Sequence, residues 1–414
     1  MKRVVITGMG ALTPIGNNLQ EFWSALKEGK SGAGPITKFD ASKFKTRFAC
    51  EIKDFDITNF LDRKETRRYD IFAQYALVTA NEAIAQAELN FDELNRNKIG
   101  VIWGSGNGGV KTFEENITDY VNGDGTPRFN PYLIPKMIVD IAAGVISIKH
   151  GLRGVNYCPV SACASSTTAI IDAFNYIKWG KANVIIAGGS DMAITPSCIG
   201  GFNAAKALST NNEEMNTASR PFDETRDGFV MGEGAGALVL EEYEHAIARG
   251  ATILGEVAGG GMAADAYHLT GSHPEGDGAF LGMEEALIDS GIEASKLDYL
   301  NLHATSTPIG DDSELKAVER LFGDCKNLTM SATKSMTGHL LGATGAIEAI
   351  ACVKACQEDI IPPTINTTKP DKSIIKEHDI VIGTSKKKTV NYAMSNTFGF
   401  GGHIATLVVK KFVK

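Results

Sequence analysis

The sequence predicts an α/β fold, and three observations carry the expectation: short, continuously apolar runs that meet glycine, segments of helical periodicity between them, and one order of elements that occurs twice. Continuous apolar strands suit a sheet covered on both faces, since both sets of alternating side chains are then buried. Such runs fall at 3–7 before Gly8-Met9-Gly10, 99–103 before Gly104-Ser105-Gly106, 184–187 before Gly188-Gly189, 253–257 before Gly259-Gly260-Gly261, and 299–302 before His303. Between the first two, 70–88 places Phe72, Tyr75, Ala76, Val78, Thr79 and Ile84 largely on one face of a helix. Segments 279–290 and 340–357 also read as helices.

Strand 3–7, helix 70–88, strand 99–103, a helix after Cys163 and strands 184–187 and 235–240 are matched in order by 252–257, 279–290, 299–302, a helix after His339, 391–395 and 404–410. Residue identity between the two sets is weak, so the repeat rests on element order. It divides the chain into halves at 1–250 and 251–414, joined by a helical connection at 241–250. Segments 106–140 and 191–233 read as insertions.

A length of 414 residues accommodates two to three domain-sized units or one large intertwined core. With 41 basic and 49 acidic residues the net charge is −8, which argues against nucleic-acid binding by bulk charge. No apolar stretch approaches the roughly 18–20 residues that span a bilayer, and Val4-Val5-Ile6 after Met1-Lys2-Arg3 is too short for a signal-peptide core, so a cytoplasmic protein that does not enter the membrane is expected. Seven cysteines form no CxxC pair and have no histidine at metal-ligand spacing; most read as buried reduced thiols. The 44 glycines exceed the roughly 29 that an average of about 7% gives, and ask for a reason.

Cys163 stands among small residues in Val160-Ser161-Ala162-Cys163-Ala164-Ser165-Ser166, just before a helical run. A helix N-terminus stabilises a thiolate, and small neighbours let substrate approach. Taken alone, such a cysteine reads equally as an inert core residue. His303 follows an apolar strand, and His339, in Lys334-Ser335-Met336-Thr337-Gly338-His339, precedes an Ala- and Gly-rich helix whose positive end disfavours the imidazolium. One histidine alone would read as structural; one cysteine and two histidines, each at an element terminus in a glycine-dense setting, reverse that reading. Phe398-Gly399-Phe400-Gly401-Gly402 can aim N–H groups at an oxyanion and set a mobile Phe over a pocket, or simply turn between two strands. Ser219–Asp223 and Arg226–Gly236, with alternating charges and glycines, look like a loop bracing a site; a phosphate cradle is disfavoured because no GxxxxGK[ST] occurs. Gly8-Met9-Gly10 fails the spacing of a dinucleotide loop.

In this order the motifs resemble those of the β-ketoacyl-[acyl-carrier-protein] synthases, in their elongating type II branch, from Val4 to the last strand. The resemblance implies a thiolase-like fold of two pseudo-duplicated βαβαβαββ halves in an αβαβα core, and an acyltransferase performing decarboxylative Claisen condensation of acyl- and malonyl-carriers in fatty-acid chain elongation. It makes Cys163 the nucleophile, assigns His303 and His339 to the malonyl thioester carbonyl and the enolate, and gives the oxyanion to the N–H groups of Cys163 and Phe400. Lys334, with Glu348 and Glu314, would position His339 and its loop; Asn107, Leu133, Phe202 and Phe400 would line the gate and acyl tunnel. It further implies a homodimer and a carrier-protein patch at Lys64, Arg67, Arg68 and Lys206, which also reads as a solvated helix start. No cofactor is required, though a structural monovalent cation, K+ or Na+, would sit at Asn301, Glu348, Ser395 and Asn396. Asn107, Leu133, Ala304 and Ile404 depart from the residues common at their positions, so acyl-length preference is open. A thiolase acting on acyl-CoA would need a second cysteine in the Gly399–His403 loop, which has none; a non-catalytic partner subunit would lack Cys163; specialised condensation of aryl-polyene or polyketide chains stays open through Asn107.

Overall fold

Residues 1–413 are described by a computed structural model, so Lys414, the last position of the expected second half, lies outside the described residues. To the 11-stranded main sheet the first half contributes five strands, β1 (Val4–Leu12), β2 (Ile99–Gly104), β3 (Asn156–Tyr157), β4 (Val184–Asp191) and β5 (Gly234–Glu242), in the spatial order β1-β5-β4-β2-β3. The second contributes β6 (Gly255–Ala264), β7 (Tyr299–Asn301), β8 (Thr329–Ser331), β9 (Asp379–Ile380), β10 (Tyr392–Gly399) and β11 (His403–Lys410), in the order β6-β11-β10-β7-β8-β9. Directions repeat as well: β2 is parallel to β3 and β4 as β7 is to β8 and β10, while β5 and β11 run antiparallel to both their neighbours. The half-sheets join where Val4–Ile6 of β1 pairs with Val257–Gly255 of β6.

Five principal helices complete the layers: α1 (Ile71–Gln86), α2 (Ser165–Lys178), α3 (Asp277–Ser290), α4 (Pro308–Phe322) and α5 (Thr344–Glu358). Alternation along the strands decides which layer each side chain enters. Leu238 and Leu240 of β5 pack inward with Ile170 of α2 and Ile347 of α5, whereas Val239 between them packs outward with α1. Leu407 of β11 likewise joins the central cluster, and Val408 packs outward with α3 and α4. Helices, sheet, central helices, sheet and helices therefore alternate, the αβαβα order expected. Continuous burial of β1, β4 and β5 is the physical counterpart of their unbroken apolar runs.

One expectation needs correction. The glycines read as ending the strands stand inside them, and β1, β4 and β6 run on to Leu12, Asp191 and Ala264. A Cβ on Gly8 would lie 2.1 Å from the Ala83 carbonyl oxygen and one on Gly10 2.1 Å from that of Thr79, so these glycines let α1 lie directly on β1. Part of the glycine excess thus serves helix-on-sheet contact. No described helix is long and apolar enough to cross a membrane.

Candidate active site

The central helices α2 and α5 meet at their first turns: the Ala346 N–H donates to Ser166 Oγ at 3.0 Å. Each is preceded by a tight turn, Ala162–Ala164 and Leu341–Ala343, whose first residue has φ of 51°. Cys163 occupies the middle of the first turn. The backbone N–H groups of Phe400 and of Cys163 itself favour its thiolate. Gly399 makes this possible, because a Cβ there would lie 2.5 Å from the Ser161 carbonyl oxygen and 3.1 Å from the Cys163 nitrogen. Burial pushes the thiol up to about 12, with the Asp191 carboxylate adding to the rise and Lys334 and the two N–H groups opposing it. Burial thus opposes the stabilised thiolate expected at a helix N-terminus. The two N–H groups remain available to a carbonyl oxygen.

His303 leaves the end of β7, and its backbone is clamped by Glu314 of α4, which accepts the N–H groups of His303 and Ala304 at 2.8 Å each. Glu314 also accepts from the Asn396 amide at 3.0 Å. His339 is fixed separately, by Nδ1 against Thr344 Oγ1 at 3.0 Å and by Phe229, whose ring stands edge-on 5.2 Å away. Glu314 thus positions His303, which corrects its expected part in positioning His339. The two imidazoles are 5.3 Å apart between centroids. Lys334, 1% exposed, donates to Glu348 Oε1 at 2.6 Å. Burial, then the Lys334 charge, holds both imidazoles well below the ordinary histidine range, so they are neutral donors at physiological pH.

Cys163, His303 and His339 line one chamber of about 810 Å3, with Phe202, Phe398 and Phe400 among its walls. Phe202 and Phe400 face each other at 5.9 Å, the juxtaposition expected of a gate. The 219–236 loop braces the same site: the Arg220 N–H donates to Ser306 Oγ at 3.0 Å, Arg226 donates to Asp371 at 3.0 Å, and the His339 N–H donates to the Val230 carbonyl at 2.8 Å.

The β-ketoacyl synthase N-terminal domain matches residues 1–246, and the β-ketoacyl synthase C-terminal domain matches residues 254–368. The chain belongs to the β-ketoacyl synthase family. It is 50% identical over 412 residues to the 3-oxoacyl-[acyl-carrier-protein] synthase 2 of Synechocystis sp., covering 99% of this chain and 98% of that one. The Staphylococcus aureus protein of the same name is 47% identical, with 99% of each chain covered. Among solved structures, a β-ketoacyl synthase from Burkholderia phymatum superposes with a TM-score of 0.92 at 35% identity, and the ishigamide ketosynthase/chain length factor with 0.93 at 32%; each comparison covers both chains completely.

Within this family member, several expected site residues lie apart from the chamber. Asn107 does not line it; its backbone N–H is tied to Asp191 Oδ1 at 3.1 Å. Leu133 also stays outside, at the head of the helix Leu133–Met137, beside the exposed Phe129, Tyr132, Ile134 and Ile138. Lys206 stands at the chamber wall, whereas Lys64, Arg67 and Arg68 lie on the helix Arg63–Arg68, with Arg68 stacked 5.8 Å over Tyr132; one chain does not assemble the four into a patch around the chamber. Of the residues expected to hold a cation, Asn301 Oδ1, Glu348 Oε2 and Ser395 Oγ are buried without a hydrogen-bond partner. Asn396 departs from them: as Ser395's neighbour on β10 it faces the other way, bonded to Glu314, Met283 and Thr406. Sequence reasoning missed Phe229 and Phe398, the latter 5.1 Å from the His303 ring; aromatics beside glycines in both motifs were the available signal.

Proposed function

We propose that this chamber carries out decarboxylative condensation of an acyl-[acyl-carrier-protein] with malonyl-[acyl-carrier-protein], with each step assigned to named residues. The observation that carries the reading is the convergence of one thiol, two neutral imidazoles and two free N–H groups in one enclosed space. Cys163 Sγ attacks the acyl thioester, its bond to the acyl carbon forms as the carrier sulfur leaves, and the thiol proton passes to that sulfur. The oxyanion of each tetrahedral intermediate is held by the Cys163 and Phe400 N–H groups. In the second step the bond between malonyl carbon and carboxylate breaks, CO2 departs, and the electron pair moves onto the thioester oxygen, where His303 and His339 donate hydrogen bonds. With Thr344 donating to Nδ1, His339 presents Nε2–H. The enolate carbon then attacks the acyl-Cys163 carbonyl, the thiolate leaves and takes a proton from solvent, and 3-oxoacyl-carrier remains. No strong base is needed, because decarboxylation creates the carbanion; losing one such donor costs about 10²–10³ in rate.

The three orphaned oxygens of Asn301, Glu348 and Ser395 fit a monovalent cation, which these residues would hold and which would neutralise buried oxygen charge. The partner reading is an acyl carrier protein. In its support, a solved neighbour with a TM-score of 0.91 and 29% identity is a type II PKS acyl-carrier protein in complex with its ketosynthase. Lys206 at the chamber wall would meet an acidic carrier. A homodimer accounts for the apolar side chains exposed on 113–138, and sedimentation at twice the chain mass is the expected result. The seven unpaired cysteines suit the cytoplasm.

Condensation of malonyl-carrier with a ladder of acyl-carriers tests the pathway. Preference for long chains supports fatty-acid elongation, and activity confined to short or aryl primers contradicts it.

A further inference from the structure

The turns before α2 and α5 correspond position by position, from the left-handed Ala162 and Leu341 to the helix starts at Ser165 and Thr344, so Gly342 stands where Cys163 stands. In the first half the middle residue, Cys163, lines the chamber. In the second, the Gly342 N–H donates to Asp191 Oδ2 at 2.7 Å. Asp191 is the last residue of β4 and is fully buried. Its carboxylate also accepts Ser105 Oγ at 2.9 Å, the Gly106 N–H at 2.9 Å and the Asn107 N–H at 3.1 Å. Burial pushes this carboxyl above the usual range, and the four donors pull it back. A Cβ on Gly342 would lie 2.4 Å from the Gly106 nitrogen and 2.6 Å from Asp191 Oδ2, so the seat admits the carboxylate only if residue 342 is glycine.

We propose that Asp191 is an internal anion seated in the second half's counterpart of the oxyanion hole, and that it is a positioning residue for condensation. Loop 105–107 lies against the Cys163 turn, since a Cβ on Gly106 would sit 3.4 Å from the Ala162 carbonyl oxygen. Gly342 opens α5, which carries Thr344, the partner of His339. One carboxylate therefore ties the surroundings of the nucleophile, in the first half, to those of a carbanion-holding histidine, in the second. Its charge also raises the Cys163 thiol's pKa, whereas the Lys334 charge lowers it. Glu314 and Glu348 hold groups within the second half; Asp191 spans the boundary between the halves.

The inference rests on the condensation reading for its rate readout alone. Asp191→Ala and Asp191→Asn are prepared in the full chain, and condensation is measured with formate or with chloride at equal ionic strength. Alkylation of Cys163 by iodoacetamide is followed by peptide mass spectrometry. Asp191→Ala is expected to lose about 10–100-fold in kcat with KM within about threefold, and formate to restore at least about fivefold. Its Cys163 alkylation at fixed pH should rise about tenfold, the equivalent of about one pKa unit, and formate should reverse the rise. Asp191→Asn, which fills the seat but sets an amide N–H against backbone donors, should lose rate without formate rescue. A rate for Asp191→Ala within twofold of the parent, or changes that formate leaves untouched, overturns the proposal. Should Asp191→Ala be poorly folded, formate must raise its thermal midpoint more than it raises that of Asp191→Asn; equal shifts overturn the proposal. Alkylation needs no carrier substrate, so a parent enzyme that makes no 3-oxoacyl product would defeat the functional reading without deciding this one.

Discussion

In the first half, the turn heading the central helix presents a thiol and its own N–H to the chamber; in the second half, the turn of the same shape is buried and its N–H is taken by Asp191. The strand orders around the two turns match. The difference is in what fills the space beside them. Gly399 lets the end of β10 reach over the first turn and bring the Phe400 N–H to Cys163. Asp191, at the corresponding end of β4, reaches over the second turn with a side chain. A duplicated scaffold thus supplies two helix N-termini, of which one serves the acyl carbonyl and the other is occupied internally. The second half contributes its chemistry through the loops that hold His303 and His339.

Substitutions can break this division of labour, beginning with the largest effect. Cys163→Ser should lower acyl transfer by more than about 10³-fold, measured as acyl-enzyme mass, because a hydroxyl is a far weaker nucleophile than a thiol. Gly399→Ala should cost about 10²-fold in kcat, since the added methyl drives the Phe400 N–H away from the oxyanion. Lys334→Met removes the cation that helps keep both imidazoles neutral. In the parent, CO2 release from malonyl-carrier should stay flat from pH 8 to about 6, whereas in the variant the fall should begin at a higher pH than in the parent, with burial, the larger cause, still holding it below the ordinary imidazole pKa of about 6.5.

The depressed imidazoles also set a stability trend. Unfolded histidines bind protons that folded His303 and His339 refuse, so their contribution is lost as pH falls below about 6.5. The thermal midpoint of His339→Gln should therefore fall less between pH 7 and 5 than that of the parent. Phe202→Ala, which leaves every polar group in place, should change the rate by only about threefold while loosening acyl-length selection.

Much of this division was legible before the fold was known. Unbroken apolar runs at β1, β2 and β4 announced a doubly covered sheet, and the paired order of elements announced the halves. Cys163, His303 and His339 were visible because each combines a chemically capable side chain with an element terminus. Where Asn107, Leu133 and the Arg63–Arg68 helix stand relative to the chamber was not legible, since long-range packing sets it and local pattern does not encode that packing. The raised Cys163 thiol was missed because a helix dipole is local in sequence whereas desolvation comes from distant chain. Asp191 drew no reading from the sequence; only its four donors, from the 105–107 loop and from Gly342, reveal it.

The claim that one half transfers the acyl group and the other makes the carbanion is tested most directly by measuring the half-reactions separately in Cys163→Ala and His339→Ala. Acyl transfer is read as acyl-enzyme mass, and decarboxylation as CO2 released from malonyl-carrier. The expected result is a crossing: Cys163→Ala releases CO2 but takes no acyl group, and His339→Ala is acylated but releases CO2 at least about 10²-fold more slowly. Equal loss of both half-reactions in either variant, with the fold intact, would contradict the account.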